Sequence, residues 1–304
     1  MIKNIIFKYK FTLKINKNIM KRKTIGVITC TKELEKERKA FVELAKKKNV
    51  NLILINESEK FNIKNFKRKI QKCDIIYCSV WDEFSVELTK TIEEWGIKIL
   101  ESSKSYYTTE DKWMFYVKCK KHNLPVPETI LLSENINNAR SELKDFGRWP
   151  VILKRVSGTM GEYVDKAKSL GEAEAILRKF WKKGSEKLPI IAQEFIKSPS
   201  YRVTVIGKKI VQTALKRNNA GWKATGVYAK KFEHFKVTKR LEKIIKQLTK
   251  FLDIKICGID LLKKDGKWVL LEVNGQPSLN FFEEEWEGLV EITLNLLIKE
   301  SEKR

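Results

Sequence analysis

The chain contains no Cys-x-x-Cys pair and only two histidines among its 304 residues. Its cysteines, Cys30, Cys73, Cys78, Cys119 and Cys257, are scattered, which argues against zinc and against a disulfide framework and points to the reducing cytosol. No Ser–His or Cys–His pair suggests a protein nucleophile. No uncharged apolar run approaches the roughly 18 residues that a membrane span needs. No Gly-x-Gly-x-x-Gly follows the first strand pattern, so a dinucleotide-binding Rossmann domain is disfavoured.

What is abundant is lysine. The 62 Lys and Arg outweigh 38 Asp and Glu to give a formal charge of +24, but the cations are spread over nearly every expected helix and loop and form no arginine-rich block. That spread argues against nucleic acid as the main partner and leans towards an acidic one. With 42% apolar residues the chain can bury more than one core. Residues 1–20 read as a basic extension or a misassigned start and show no secretory cleavage pattern.

From Thr24 short β-rich runs alternate with helical patterns until about residue 103, the mark of a parallel sheet covered by helices. Thr109-Glu-Asp-Lys112 reads as the capped start of the next helix. Strand and helix patterns then suggest two α+β lobes with a cleft between them. The expected division is 21–103, 104–192 and 193–304.

Two clusters carry chemistry. Asp260, Glu272 and Asn274 place oxygen donors on apolar, strand-like backbone, where a hard divalent cation is the usual compensation. Shared residence on one face requires a particular hairpin register. A two-residue Asp265-Gly266 turn would pair 260 with 271 and separate the carboxylates, so a three-residue loop from Lys264 to Gly266 is expected. In the second cluster Lys154 ends an apolar strand before Ser157-Gly158-Thr159-Met160-Gly161, a lysine and flexible loop suited to phosphate but lacking the P-loop ending. Lysine, glycine loop and metal donors together indicate a nucleoside triphosphate.

The ordered set Gln193-Glu-Phe-Ile196, Tyr201-Arg-Val-Thr-Val-Ile-Gly207, Leu215-Lys-Arg217, Cys257-Gly-Ile-Asp260 and Leu271-Glu-Val-Asn274 resembles the ATP-grasp superfamily, and within it the RimK-type amino-acid ligases such as the alpha-L-glutamate ligases. The resemblance implies an ATP-grasp fold, α/β and α+β, with an N-terminal Rossmann-like (preATP-grasp) domain and two α+β lobes around an ATP cleft. It implies ATP with two Mg²⁺ ions, or Mn²⁺, on Asp260, Glu272 and Asn274. Phosphate lysines fall on Lys154 and Lys112, the phosphate-covering loop on Ser157, Gly158, Thr159 and Gly161, and the adenine hinge on Glu194 and Phe195, with Gln193 beside it among the nucleotide-binding residues. Ser200 stands near the ribose position, where an acid is common, with Arg202 and Lys216 among the nearby polar contacts. Arg217 matches the arginine beside the transferred phosphoryl group, and Lys223 replaces a usual arginine.

The activity implied is amide formation through an acyl phosphate, joining an amino acid such as glutamate to a small carboxylate acceptor, an acidic carrier protein or a polypeptide terminus. Homo-oligomers are common in the family. A nucleotide-binding regulator or scaffold without turnover, and a nucleic-acid-binding protein, are the alternative readings, separated from ligation by amine-dependent ADP release and by salt-dependent RNA or DNA binding.

Overall fold

A computed structural model describes residues 22–30, 35–80, 82–158, 163–182, 188–217, 222 and 231–303. The basic extension lies outside them. The N-terminal unit is a parallel sheet with strand order β2-β1-β3-β4, made of β1 (Thr24–Thr29), β2 (Asn51–Asn56), β3 (Ile75–Cys78) and β4 (Ile99–Leu100). Helices α2 (Ile63–Ile70) and α3 (Glu83–Glu94) bury Phe66, Ile70, Leu88 and Ile92 against one face. The other face takes α1 (Glu35–Lys47) and, from the far end of the chain, α9 (Trp286–Ser301) through Leu289, Val290, Leu294 and Leu297. Ile206 and Ile256 join the same apolar cluster, so α9 ties the N-terminal sheet to the C-terminal one.

Two antiparallel sheets follow. The first, in the order β5-β8-β6-β7, contains β5 (Thr129–Leu132), β6 (Val151–Arg155), β7 (Val164–Ala167) and β8 (Ile190–Glu194). It packs against α6 (Ile136–Phe146) and α7 (Leu170–Lys182) through Val151, Leu153, Leu143 and Leu177. The second, in the order β11-β10-β9-β12-β13, contains β9 (Ser200–Ile206), β10 (Lys209–Arg217), β11 (Lys231–Glu233), β12 (Ile256–Lys264) and β13 (Lys267–Asn274). Helix α8 (Lys239–Leu252) covers one face. Its buried Leu241, Ile245, Leu248 and Leu252 recur at helical spacing, and the Thr238 hydroxyl accepts from Leu241 N–H to cap its start. The expected fold class is therefore observed: a parallel sheet and two antiparallel lobes.

Three local expectations need correction. An additional helix, α4 (Ser103–Glu110), occupies the segment beyond residue 103. Thr109 lies inside it and donates to Ser105 O, whereas Asp111 caps α5 (Lys112–Lys121) by accepting from Met114 N–H. A serine- and tyrosine-rich stretch with little apolar periodicity hid α4. The third correction concerns the hairpin. Asp265 and Gly266, with φ of 49° and 72°, form a two-residue turn that pairs Lys264 with Lys267, not the three-residue loop. A β-bulge at Leu271 then shifts the register, so that Leu261 faces Leu270 and Asp260 faces Glu272. The carboxylates share a face after all, by a bulge that the turn chemistry does not reveal.

Candidate functional site

Strand alternation sends Ile259, Leu261, Leu270 and Val273 into the α8-covered core and their neighbours to the opposite face. That face carries a polar row across three strands, because Arg202 pairs in register with Asp260 and Asp260 with Glu272. Next to it, Ile196, Leu262, Val269 and Leu271 form an apolar wall. The residue that bulges, Leu271, thus contributes to the wall while Glu272 and Asn274 return to the polar row.

Asp260 is 5% exposed and carries three charge-assisted bonds. Its Oδ1 accepts from Arg202 Nε at 2.7 Å and Lys216 Nζ at 2.8 Å, and its Oδ2 accepts from Arg202 Nη2 at 2.8 Å. Burial alone would raise the Asp260 carboxyl; the Arg202 guanidinium and then Lys216 outweigh it and hold it down at about 2. For Lys216, burial outweighs the opposing pull of Asp260 and pushes the ammonium down. Phe281 lies over both cations, its ring centroid 5.9 Å from Arg202 Cζ and 6.0 Å from Lys216 Nζ. Gly258 supplies the floor: a Cβ there would come within 2.1 Å of Arg202 Nη1 and 3.0 Å of Pro277 Cβ. Glycine inside a strand is the one sequence signal for such a close approach. Because Arg202 is pinned bidentately, Gly258→Ala is expected to cost ~1–3 kcal/mol, read as a lower denaturant midpoint with an unchanged slope.

Lys154, on β6, is buried, yet its ammonium has no hydrogen-bond or ion-pair partner among the described residues. Burial pushes it down to about 8, opposed by the nearby Glu272 carboxylate and assisted by Lys112. Glu272 likewise has no hydrogen-bond or ion-pair partner among the described residues. Lys112, at the start of α5, reaches Gly158 O with Nζ at 2.8 Å and donates its backbone N–H to Val156 O at 3.0 Å. It thereby holds the loop that begins with exposed Ser157 and Gly158, the latter at φ 134°. Glu110, missed in the sequence, completes the group; burial raises its carboxyl, Lys112 opposes this and Glu272 adds to it. Thr159, Gly161 and Lys223 lie outside the described residues. For Arg217 only the backbone is described, on β10 opposite Lys231.

The expected hinge is held from both sides. Gln193 is buried and donates to Thr129 Oγ1 at 2.9 Å. Glu194 accepts from Lys264 Nζ at 2.6 Å and from Glu128 N–H at 3.0 Å. Phe195 N–H reaches Pro150 O at 3.3 Å, and the Lys166 ammonium stands 4.4 Å above its ring. Ser200 is buried, and its Oγ has no hydrogen-bond partner among the described residues. Lys264 and Lys166 were not singled out in the sequence, where nothing distinguishes them from other lysines.

The donor set suits a hard cation. No three His, Cys, Asp or Glu side chains converge among the described residues, so a metal here rests on two carboxylates and the Asn274 amide. The Asn274 amide nitrogen is buried without a hydrogen-bond partner among the described residues. Oxygen donors on one face, with Glu272 unpaired among the described residues, fit Mg²⁺. No helix among the described residues is long and apolar enough to cross a membrane.

Comparison with known proteins addresses the family and the fold. The RimK-like ATP-grasp domain family matches residues 109–297. A probable alpha-L-glutamate ligase of Haemophilus influenzae is 27% identical over 210 residues, which span 68% of this chain and 65% of that protein. The alpha-aminoadipate–LysW ligase LysX of Saccharolobus solfataricus is 26% identical over 191 residues, 61% of this chain and 68% of its own. Among solved structures, D-alanine–D-alanine ligase from Bacillus anthracis complexed with ATP superposes with a TM-score of 0.71 at 15% identity, covering 92% of this chain and 98% of that one. The match thus reaches just under two thirds of the length of the glutamate ligase relative. With the family matching well over half of its length, this chain belongs to the RimK-like ATP-grasp family.

Proposed function

We propose that the chain is an ATP-dependent carboxylate–amine ligase that activates a carboxylate as its acyl phosphate and joins it to an amine, releasing ADP and phosphate. One observation carries the reading. Lys154 is buried on the first antiparallel sheet with no hydrogen-bond or ion-pair partner among the described residues, and the carboxylate that acts on it, Glu272 of the second antiparallel sheet, likewise has none there. An uncompensated buried cation is costly unless a ligand supplies the counter-charge. A phosphate would supply it at Lys154, and Glu272 would help to hold the metal that accompanies the phosphates.

In this reading Lys154 and Lys112 bind the phosphates, and Lys112 also fixes the start of the Ser157–Gly158 loop that excludes water from the acyl phosphate. The apolar wall of Ile196, Leu262, Val269 and Leu271 receives the adenine, with the backbone at Glu194 and Phe195 reading its edge. Ser200 is the ribose contact. Arg217 stabilises the transferred phosphoryl group. Asp260, Glu272 and Asn274 hold Mg²⁺, as two ions, with Mn²⁺ able to substitute. When bound, the metal neutralises β- and γ-phosphate oxygens as charge moves between them.

Glutamate is the first amino acid to test, since a probable alpha-L-glutamate ligase is among the relatives. The +24 charge favours an acidic carrier protein or peptide as acceptor over a neutral one. Amino acids screened against candidate carboxylates for ADP release, with the product weighed by mass spectrometry, test the reading. A product heavier than the acceptor by one aminoacyl residue supports it. ATP turnover that no amine stimulates across the panel refutes it.

The Lys154 environment also sets a pH dependence. An ammonium held at about 8 is increasingly neutral above that value, and phosphate binding restores its charge. ATP binding is therefore expected to take up a proton above pH ~8 and little below pH ~7. Calorimetric titrations in buffers of different ionisation enthalpy measure this uptake, and Lys154→Met should abolish it.

A further inference from the structure

We infer that Lys216 is a placeholder on Asp260, so that the metal site assembles only when a nucleotide is present. The inference rests on Asp260, Glu272 and Asn274 being the metal ligands, and it adds a binding order that this reading leaves open.

The geometry begins with Asp260 Oδ1, which already accepts two charged donors, Arg202 Nε at 2.7 Å and Lys216 Nζ at 2.8 Å. Each carboxylate oxygen has two lone pairs, so Oδ1 is filled. A magnesium ion needs an oxygen at roughly 2.0–2.1 Å and strict octahedral geometry. It cannot share Oδ1 with both cations. One donor must leave before Oδ1 can serve as a ligand.

Lysine is the one built to leave. Arg202 grips both carboxylate oxygens, and its guanidinium is seated over Gly258 so closely that a Cβ there would lie 2.1 Å from Nη1. Among the described residues Lys216 makes one hydrogen bond, through a flexible four-carbon stem. Its ammonium can swing from Asp260 to a phosphate oxygen without moving β10. The bidentate Arg202 pair then keeps Asp260 oriented.

Charge decides when this happens. Lys112, Lys154, Arg202 and Lys216 act electrostatically on Glu110, Asp260 and Glu272 or are acted on by them. Among the described residues this cluster already has more cations than anions. A bare divalent ion would add positive charge to that cluster while displacing a buried ammonium with nowhere to go. A nucleoside triphosphate brings more negative charge than its metal brings positive, and its phosphates give the Lys216 ammonium a new partner. Metal and nucleotide therefore bind together, and neither Mg²⁺ nor Mn²⁺ alone occupies the site.

Water-proton relaxation with Mn²⁺ as the probe tests this, because protein-bound Mn²⁺ enhances relaxation far more than free Mn²⁺ or its nucleotide complex. Wild-type protein should show no enhancement with Mn²⁺ alone at sub-millimolar concentration and strong enhancement once a non-hydrolysable ATP analogue is added. Lys216→Met should bind Mn²⁺ alone at least tenfold more tightly than wild type. Lys216→Gln serves the same purpose should the methionine variant fail to fold, and the wild-type comparison needs no variant. Equal Mn²⁺ binding by the wild type with and without the analogue overturns the inference, as does an unchanged Mn²⁺ affinity in a folded Lys216 variant. A Glu272→Gln variant, expected to keep its stability, separates the two claims. If it retains analogue-dependent enhancement, the metal assignment itself is wrong. If it loses enhancement while the wild type binds Mn²⁺ alone, only the placeholder role fails.

Discussion

Lys154→Ala is expected to reduce amine-dependent ADP release by about 10²–10³-fold or more, the usual consequence of removing one preorganised charge from a phosphoryl-transfer site. The same change should leave the fold intact. Lys154 is buried with its charge held down to about 8 and no partner among the described residues, so wild-type folding carries the cost of its desolvation. Removing it should leave stability unchanged or raise it, by on the order of 1–3 kcal/mol before any cavity cost. A variant that is both stable and inactive is the signature of a ligand-binding lysine. Wild-type turnover, or a collapse of stability, would contradict the role assigned to it.

Asp260→Asn should behave in the opposite way. Arg202 and Lys216 are both buried and both rely on that carboxylate, so removing its charge strands two cations. Breaking a buried pair from one side costs ~3–5 kcal/mol, and a shift of that size should be plain in urea unfolding. The sign with pH follows from the depressed carboxyl. With a folded value of about 2 against an ordinary 3.8, Asp260 contributes stability that is fully present above pH ~4 and is lost as pH falls through ~2. The variant should lack that acid-dependent component. Glu272→Gln provides the contrast: with no partner to strand among the described residues, it should lose turnover and keep its stability. Equal stability losses at the two positions would contradict the division of labour between a structural and a free carboxylate.

Much of this was legible in the sequence. Alternating β-rich and helical runs gave the parallel sheet, and the spacing of Asp260, Glu272 and Asn274 on apolar backbone marked the polar face. What escaped was set by tertiary contact. The register depends on an extra residue at Leu271, and a bulge has no local sequence code comparable to Asp-Gly in a turn. Helix α4 is held by its neighbours, with Ser105, Thr108 and Thr109 buried and hydroxyls bonded back to carbonyls one turn earlier, so no apolar stripe announced it. The bonding of Arg202 and Lys216 to Asp260 was hidden for another reason. Cations are so numerous in this chain that only register across β10, β9 and β12 singles out these two.

Isotope transfer tests the central claim most directly. A carboxylate acceptor identified by the ADP-release screen, labelled with ¹⁸O in its carboxyl group, is incubated with ATP, Mg²⁺ and the amine, and the released phosphate is analysed by mass spectrometry. Activation as an acyl phosphate predicts one ¹⁸O atom in each phosphate released per amide formed. Amide formation with unlabelled phosphate would contradict it.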